Sequence, residues 1–158
     1  MRHPRGGMEK LSKFHVLVAL TCAYAAFLFY LSSLPSPPQP LDWQFLYKFA
    51  ALLEDWGVSF LVYPFYVAYK HPDKFAHAIL YMGFGLLLHF TLRARNSVPR
   101  AAALSILIGA FYGATDEFHQ SFVPYRSPDI MDLLADIVGL LLAQLLIFTY
   151  LSIKRMRG

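Results

Sequence analysis

Cysteine is almost absent from the sequence, which has one such residue, Cys22, inside an apolar stretch. One cysteine cannot form an internal disulfide, so the composition does not indicate a redox compartment. Charge is also scarce, because charged residues make up 15% of the chain and hydrophobic residues 57%, with a mean hydropathy of +0.44. A soluble domain is about one quarter charged and about one half apolar. The composition therefore excludes an ordinary soluble domain and indicates a membrane protein.

A basic patch of the kind that binds nucleic acid is missing as well. The net charge is +4, but the basic residues occur at the ends of apolar segments and not in a patch with interleaved aromatic residues. The sequence therefore predicts no nucleic-acid partner.

Four apolar segments stand out on a window of about 20 residues, which is the length of a transmembrane helix. They cover about residues 14–34, 74–92, 99–121 and 129–153. The purely apolar part of the third, residues 101–115, extends about 22 Å as a helix, less than the roughly 30 Å hydrocarbon core. Residues 116–120 must then lie within its last turns. The sequence predicts an all-α membrane protein, a bundle of four transmembrane helices in a single domain, residues 1–158.

The first apolar segment has an alternative interpretation. Basic residues, an apolar stretch and AYAA at residues 23–26 are typical of a signal peptide with a small-residue cleavage site. The apolar stretch continues for about two more turns beyond these alanines, which favours a retained helix.

The distribution of basic residues predicts the orientation of the helices. With the N-terminus in the cytoplasm, ten of the fourteen basic residues lie inside, and only Lys48, Lys70, Lys74 and Arg126 lie outside. This positive-inside bias predicts that both termini are cytoplasmic and that residues 116–120 face the extracytoplasmic side.

The connection between the first two helices, about residues 36–70, is predicted to be an interfacial insert. The proline-rich SSLPSPPQP at residues 32–40 ends the first helix. FLVYPFYVAY at residues 60–69 is too short to span, and its tyrosines suit an interfacial or re-entrant segment. Between these segments, helical spacing predicts an amphipathic helix on the membrane surface, with Trp43, Leu46, Ala50, Leu53 and Trp56 on its apolar face.

Polar side chains fall on shared faces of the last three helices. Lys74, His77 and Tyr81 form one stripe of the second helix, and Asp73 is within reach of His77. On the third helix, Glu117 extends a stripe of small residues at 105, 109 and 113, which lets helix backbones approach closely.

Topology places these groups at one depth, because the second and fourth helices begin where the third ends. Ionisable groups inside a membrane cost several kcal/mol unless they are paired, so their convergence predicts a polar pocket or a tight structural network. The converging groups are Asp73, Lys74, His77, Asp116, Glu117, Gln120, Arg126, Asp132 and Asp136.

Each component also has a structural interpretation. Asp73 and Lys74 can form an interfacial charge pair, and His77 can bond Asp73 in a packed core. Arg126 can clamp Asp129 or Asp132. Many buried charges are an unfavourable way to hold a bundle together, which favours a site.

Two chemistries fit such a site. General acid–base catalysis requires a carboxylate or imidazole with a shifted pKa and a cation that holds an anion. Imidazole and carboxylates also bind divalent metals, for which Asp73, His77, Glu117 and Asp132 are the best candidates. The sequence has no HExxH or CxxC motif, so no cofactor is evident, and a divalent metal stays an open alternative.

Two segments carry a family resemblance: DKFAHAILYMGFG at residues 73–85 and DEFHQSFVPYRSPDIMDLLADIVG at residues 116–139. Together with SSLP at the end of the first helix, they resemble the VanZ-like family of small polytopic membrane proteins, named for a teicoplanin-resistance protein. The resemblance covers about two-thirds of the chain. Asp136 stands where the family commonly has Asn, and Tyr125 stands where Gly is frequent.

The resemblance and the polar pocket together predict a function in the cell envelope. The protein is expected to act on or recognise an anionic lipid-linked or cell-envelope substrate, and the resemblance implies lower susceptibility to lipoglycopeptides such as teicoplanin. The expected partners are the lipid bilayer and a membrane lipid or lipid-linked cell-wall precursor. The alternatives are a non-catalytic scaffold that binds lipid or antibiotic, and a lipid or proton-coupled transporter, so catalysis stays open.

The candidate site residues divide into two sets. The candidates for catalysis are His77, Glu117, Asp116 and Asp132. The candidates for substrate binding are Lys74, Arg126, Gln120, Tyr81, Asp73 and Asp136.

Overall fold

The computed structural model describes residues 5–36, 43–58 and 70–158. Within these ranges every regular element is an α-helix. The helices are α1 (Arg5–Ser32), α2 (Trp43–Asp55), α3 (Pro72–Arg93), α4 (Val98–Gln120) and α5 (Ile130–Met156).

Four helices are long and apolar enough to cross a membrane: the part of α1 from Lys13 to Ser32, and α3, α4 and α5. Large apolar side chains such as Leu107, Phe111 and Leu145 point away from the bundle, as expected for a surface in contact with lipid tails. The predicted all-α fold with four membrane-crossing helices is confirmed. The orientation of the termini stays a prediction.

The helix boundaries follow local signals in the sequence. Proline occupies the first turn of α3 and of α4, where its missing N–H costs nothing. Asp129 caps α5, because its side chain accepts a hydrogen bond of 2.9 Å from the backbone N–H of Met131. The main difference from the prediction is α1, which begins at Arg5 and not near residue 14, because the helix extends through the basic segment before the apolar stretch.

The predicted amphipathic helix of the insert is present as α2. It ends before Gly57, whose φ of 73° is the left-handed conformation that glycine adopts readily. Leu53 is buried, whereas Trp56 lies beyond the helix end and is exposed. The segment predicted at residues 60–69 lies outside the described residues.

The centre of the bundle is the contact between α3 and α5, the most extensive between any two helices. A Cβ atom at Gly139 would meet the backbone of α3, at the carbonyl of Ala78 and 2.9 Å from the nitrogen of Met82. The side chain of Leu140 packs against Gly85 on α3 and Gly109 on α4. Small residues therefore let the three helices approach closely, and this brings their polar ends together.

Helix α1 packs on the outside of this core and is held by hydrogen bonds. The hydroxyl of Tyr24 donates to the carbonyl of Leu80 at 3.0 Å. From α4, the hydroxyl of Tyr112 donates to the carbonyl of Ala25 at 2.6 Å. These bonds fix α1 beside α3, and a cavity lies between the two helices.

Candidate functional site

Lys74, in the first turn of α3, is surrounded by carboxylates. Its Nζ donates hydrogen bonds to Asp129 at 2.7 Å, Asp132 at 2.9 Å and Asp73 at 3.0 Å. Asp129 precedes α5, and the hydrogen bond from Lys74 holds the pKa of this carboxyl below its usual range. Lys74 thereby ties the start of α5 to the start of α3.

His77 lies one turn further along α3 and bonds a carboxylate that has no exposed surface. Its Nδ1 is 2.8 Å from Oδ1 of Asp136, whose side chain is 0% exposed. A carboxylate accepts hydrogen bonds, so Nδ1 donates and the bond fixes the orientation of the ring. The other ring nitrogen, Nε2, lies 3.9 Å from Oδ2 of Asp132. His77 therefore presents Nε2 to a second carboxylate.

Helix α4 contributes three buried polar side chains from its last turns. Oε2 of Glu117 accepts a 2.8 Å hydrogen bond from the backbone N–H of Asp129, and Gln120 donates to Asp116 at 3.2 Å. Within the described part of the chain, Oε1 of Glu117 and Oδ1 of Asp116 are buried and have no hydrogen-bond partner. The predicted stripe that ends in Glu117 is buried along its length.

Arg126 lies in the connection between α4 and α5. Among the residues that the structure describes, its side chain makes no ion pair, and its buried Nε has no hydrogen-bond partner. The preceding residue, Tyr125, has a φ of 64°, a left-handed conformation that is uncommon for a side chain with a Cβ. This explains the glycine that the resemblance implies at that position, because glycine adopts this conformation at little cost.

A cavity of about 590 Å³ lies between α1 and α3 and ends at Arg126. The wall from α1 and the middle of α3 is apolar, and the end of the cavity is polar. Phe27 and Ile79 line the cavity and are each 45% exposed, so it opens on the lipid-facing surface between the two helices. The polar end is formed by Ser32, Asp73, His77, Asp116, Gln120 and Arg126.

The candidate residues lie at one end of the bundle, where the structure contains the Asp73–Lys74 pair and neither of the other two structural alternatives. Asp73 bonds Lys74 and not His77, because Asp136 of α5 already occupies Nδ1 of His77. Arg126 does not clamp Asp129 or Asp132, because both bond Lys74. Tyr81 is almost fully buried, one turn beyond His77, and its ring stacks on the imidazole with 6.4 Å between centroids.

Sequence reasoning missed a second buried polar pair. Nδ1 of His89 donates to Oε1 of Gln144 at 2.7 Å, between α3 and α5. The sequence feature that could have indicated this pair is Gln144, an amide within the apolar stretch of α5. His119 lies against α1, with Nε2 3.1 Å from the Ser33 hydroxyl and its ring centroid 4.5 Å from that of Phe29.

Three candidate metal ligands come close together. His77, Glu117 and Asp132 each offer a ligand atom, and these atoms lie within 4.8 Å of one another. Asp73, which the sequence also indicated, does not belong to this group. Imidazole and carboxylate donors suit first-row divalent metals.

Comparison with known proteins agrees with this architecture. The family model described as VanZ/LLP1 matches residues 17–152, nearly the whole chain. The uncharacterised protein C11E3.10 of Schizosaccharomyces pombe is 38% identical over 79 residues, which are 49% of this chain. The match spans 48% of that relative, so it covers only about half of its length. No solved structure matches the chain.

Proposed function

This chain belongs to the VanZ/LLP1 family of multi-pass membrane proteins, and within that family we propose that it recognises a lipid with an anionic head group. The lipid enters the cavity between α1 and α3, and its head group bonds Arg126. The polar cluster faces the extracytoplasmic side in this proposal, as the distribution of basic residues predicts.

The main support for the proposal is the side chain of Arg126. A guanidinium has five N–H donors and binds phosphate or carboxylate in a bidentate manner. Among the described residues, the buried Nε of Arg126 has no hydrogen-bond partner and its guanidinium makes no ion pair. Lys74 already bonds three carboxylates, so we assign the anion to Arg126 and a structural role to Lys74.

The shape of the cavity supports an amphiphile over a soluble anion. Its volume lies within the range of small-molecule sites, about 300–1,000 Å³. The long apolar wall suits an acyl or isoprenoid chain, and the polar residues are confined to one end. Because Phe27 and Ile79 are half-exposed at the wall, a lipid can enter from the bilayer without crossing water.

Catalysis on the bound lipid is the second candidate function, and the pair of His77 and Asp136 favours it. Asp136 fixes the ring of His77, and His77 lines the cavity that contains Arg126. A general base that is oriented by a carboxylate and placed beside an anion site is a common arrangement for hydrolysis or group transfer.

The anion site can be tested by lipid binding to purified protein in detergent. The binding of phosphatidylglycerol and phosphatidylcholine is compared by native mass spectrometry for the wild-type protein, Arg126→Gln and Arg100→Gln. Arg100→Gln is the matched control, because it removes the same charge from an exposed position on α4. We expect Arg126→Gln to lose at least about tenfold in affinity for phosphatidylglycerol, with little change for phosphatidylcholine. Unchanged binding of phosphatidylglycerol by Arg126→Gln contradicts the proposal.

The nature of the lipid and the presence of turnover are separate questions. A phospholipid is the first probe and lipid II is the second. Incubation with each lipid, followed by mass spectrometry of the products, distinguishes an enzyme from a binding protein. If the bound lipid is a cell-wall precursor, expression should raise the teicoplanin concentration needed to inhibit a susceptible host, and Arg126→Gln should abolish the increase.

A further inference from the structure

We infer that His77, Glu117 and Asp132 form a binding site for one divalent metal ion of the Zn²⁺ class. This site adjoins the cavity that contains Arg126, because His77 lines that cavity, and it does not depend on which lipid the cavity binds. The three residues come from α3, α4 and α5, so the ion would join the three helices that form the centre of the bundle.

The imidazole is oriented as a metal ligand requires. Asp136 bonds Nδ1 of His77 and leaves Nε2 directed at Oδ2 of Asp132, 3.9 Å away. A carboxylate that holds the second nitrogen of a ligating histidine is a recurrent outer partner in zinc sites, because it fixes the ring and raises its basicity. Asp136 is fully buried, so this orientation is set within the protein.

The two carboxylates each keep one oxygen free for the ion. Asp132 bonds Lys74 through Oδ1 and faces His77 with Oδ2. Glu117 bonds the backbone of Asp129 through Oε2, and its other oxygen is buried without a partner among the described residues. Glu117 is only 7% exposed. A buried carboxylate oxygen without a partner is costly, and a metal ion removes that cost.

The balance of charge also favours a cation. The six carboxylates at this end of the bundle outnumber the lysine and arginine cations of the described chain there, Lys70, Lys74 and Arg126. A surplus of negative charge at a membrane face is unfavourable, and a divalent ion reduces it by two charges. The carboxylates are those of Asp73, Asp116, Glu117, Asp129, Asp132 and Asp136.

The geometry suits a small ion after a modest adjustment. The candidate ligand atoms lie within 4.8 Å of one another, whereas ligands about 2.0–2.1 Å from a tetrahedral Zn²⁺ are about 3.3 Å apart. Rotamer changes that move each atom inward by about 1 Å therefore complete the site. Three protein ligands leave a fourth position for water or substrate, and a metal there supplies a Lewis acid.

The test measures metal binding directly. Full-length protein in detergent is stripped with a chelator and titrated with Zn²⁺ by calorimetry, and with Co²⁺ by visible absorption. His77→Ala and Glu117→Gln each remove a ligand, whereas His119→Ala removes a histidine of α4 that contacts Ser33 of the α1 end. Circular dichroism and gel filtration check the fold of each variant.

We expect one ion per chain in the wild-type protein and in His119→Ala, with Co²⁺ absorption typical of tetrahedral coordination. Both ligand variants should lose at least about 100-fold in affinity, and Asp136→Asn should lose about 10–100-fold, as other outer-shell partners do. Wild-type protein that binds no Zn²⁺ stoichiometrically overturns the inference. Unchanged affinity in either folded ligand variant does so too. The proposal that Arg126 binds the lipid head group does not depend on either result.

Discussion

His77 and Asp136 form a hydrogen bond of 2.8 Å between α3 and α5, and the carboxylate has no exposed surface. Asp136 also approaches α4, since a Cβ at Gly113 would lie 2.7 Å from its Oδ2. One oxygen of Asp136 therefore orients the imidazole. The other oxygen is buried against a glycine and has no hydrogen-bond partner in the described ranges.

Asp136→Asn should preserve the fold better than Asp136→Ala. Asparagine keeps an oxygen that accepts from Nδ1 of His77 and removes a buried charge, so we expect a change in the free energy of unfolding of less than about 1 kcal/mol. Alanine leaves both a cavity and an unpartnered imidazole, which costs about 2–4 kcal/mol. Denaturant unfolding in detergent measures the two variants, and equal losses would mean that the hydrogen bond does not stabilise the bundle.

Replacement of Lys74 should separate α3 from α5 at the polar end. Lys74→Gln leaves Asp132, whose side chain is 12% exposed, without its cation, and this should lower the free energy of unfolding by about 1–3 kcal/mol. Lys154→Gln is the control, because Lys154 is exposed and makes no ion pair with the described residues. The midpoints of thermal unfolding are measured for both variants. Similar midpoints would contradict the structural role assigned to Lys74.

Gly139→Ala should disrupt the contact between α3 and α5. The added methyl group meets backbone atoms of Ala78 and Met82, which cannot move without displacing α3, so we expect a loss of about 1–3 kcal/mol. Gly83→Ala is the comparison, because its methyl group meets the hydroxyl end of the Tyr24 side chain, which can turn away at the cost of its hydrogen bond to Leu80. A larger loss in Gly83→Ala than in Gly139→Ala would show that this contact is not tightly packed.

Tyr125→Gly should stabilise the loop before Arg126. The φ of 64° costs a residue with a Cβ about 1–2 kcal/mol, and the side chain of Tyr125 is 96% exposed, so little packing is lost. Since glycine also gains entropy in the unfolded chain, we expect a net gain of about 0.5–1 kcal/mol. Tyr125→Ala is the control, because it removes the ring and keeps the strain. Equal stabilities of the two variants in detergent would contradict the explanation.

The predicted orientation places the loop at Arg126 outside and the end of α5 inside. In a Cys22→Ser background, Ser127→Cys and Gly158→Cys each introduce one cysteine at an exposed position outside the membrane-spanning helices. A membrane-impermeant maleimide added to intact cells should label the first and not the second, and both should react after permeabilisation. The opposite pattern would place the polar cluster in the cytoplasm.

The sequence predicted the membrane helices and the end of the bundle at which the polar residues meet. Length, hydropathy and proline positions located the helices, and an alternating topology brought Lys74, Glu117 and Asp132 to one depth. These features depend on local composition and chain order, which a sequence displays directly. The extension of α1 to Arg5 was not predicted, because basic residues in a helix give no apolar signal.

Partners were predicted less well than positions. A bond from His77 to Asp73 and a clamp of Arg126 on an aspartate were open alternatives from the sequence. In the structure His77 bonds Asp136, and Arg126 lines a cavity. The pair of His89 and Gln144 was missed. Each case depends on how a helix is rotated about its axis, which the sequence of that helix does not specify.

The chain by itself therefore determined that this is a four-helix membrane protein with a polar end. Only the tertiary structure decided that Lys74 bonds three carboxylates, that Arg126 keeps a donor with no partner in the described ranges, and that a cavity opens between α1 and α3. The reason is physical. Hydrophobicity and helix propensity act along one segment, whereas close contacts such as those at Gly139 and Leu140 fix the rotation and separation of whole helices.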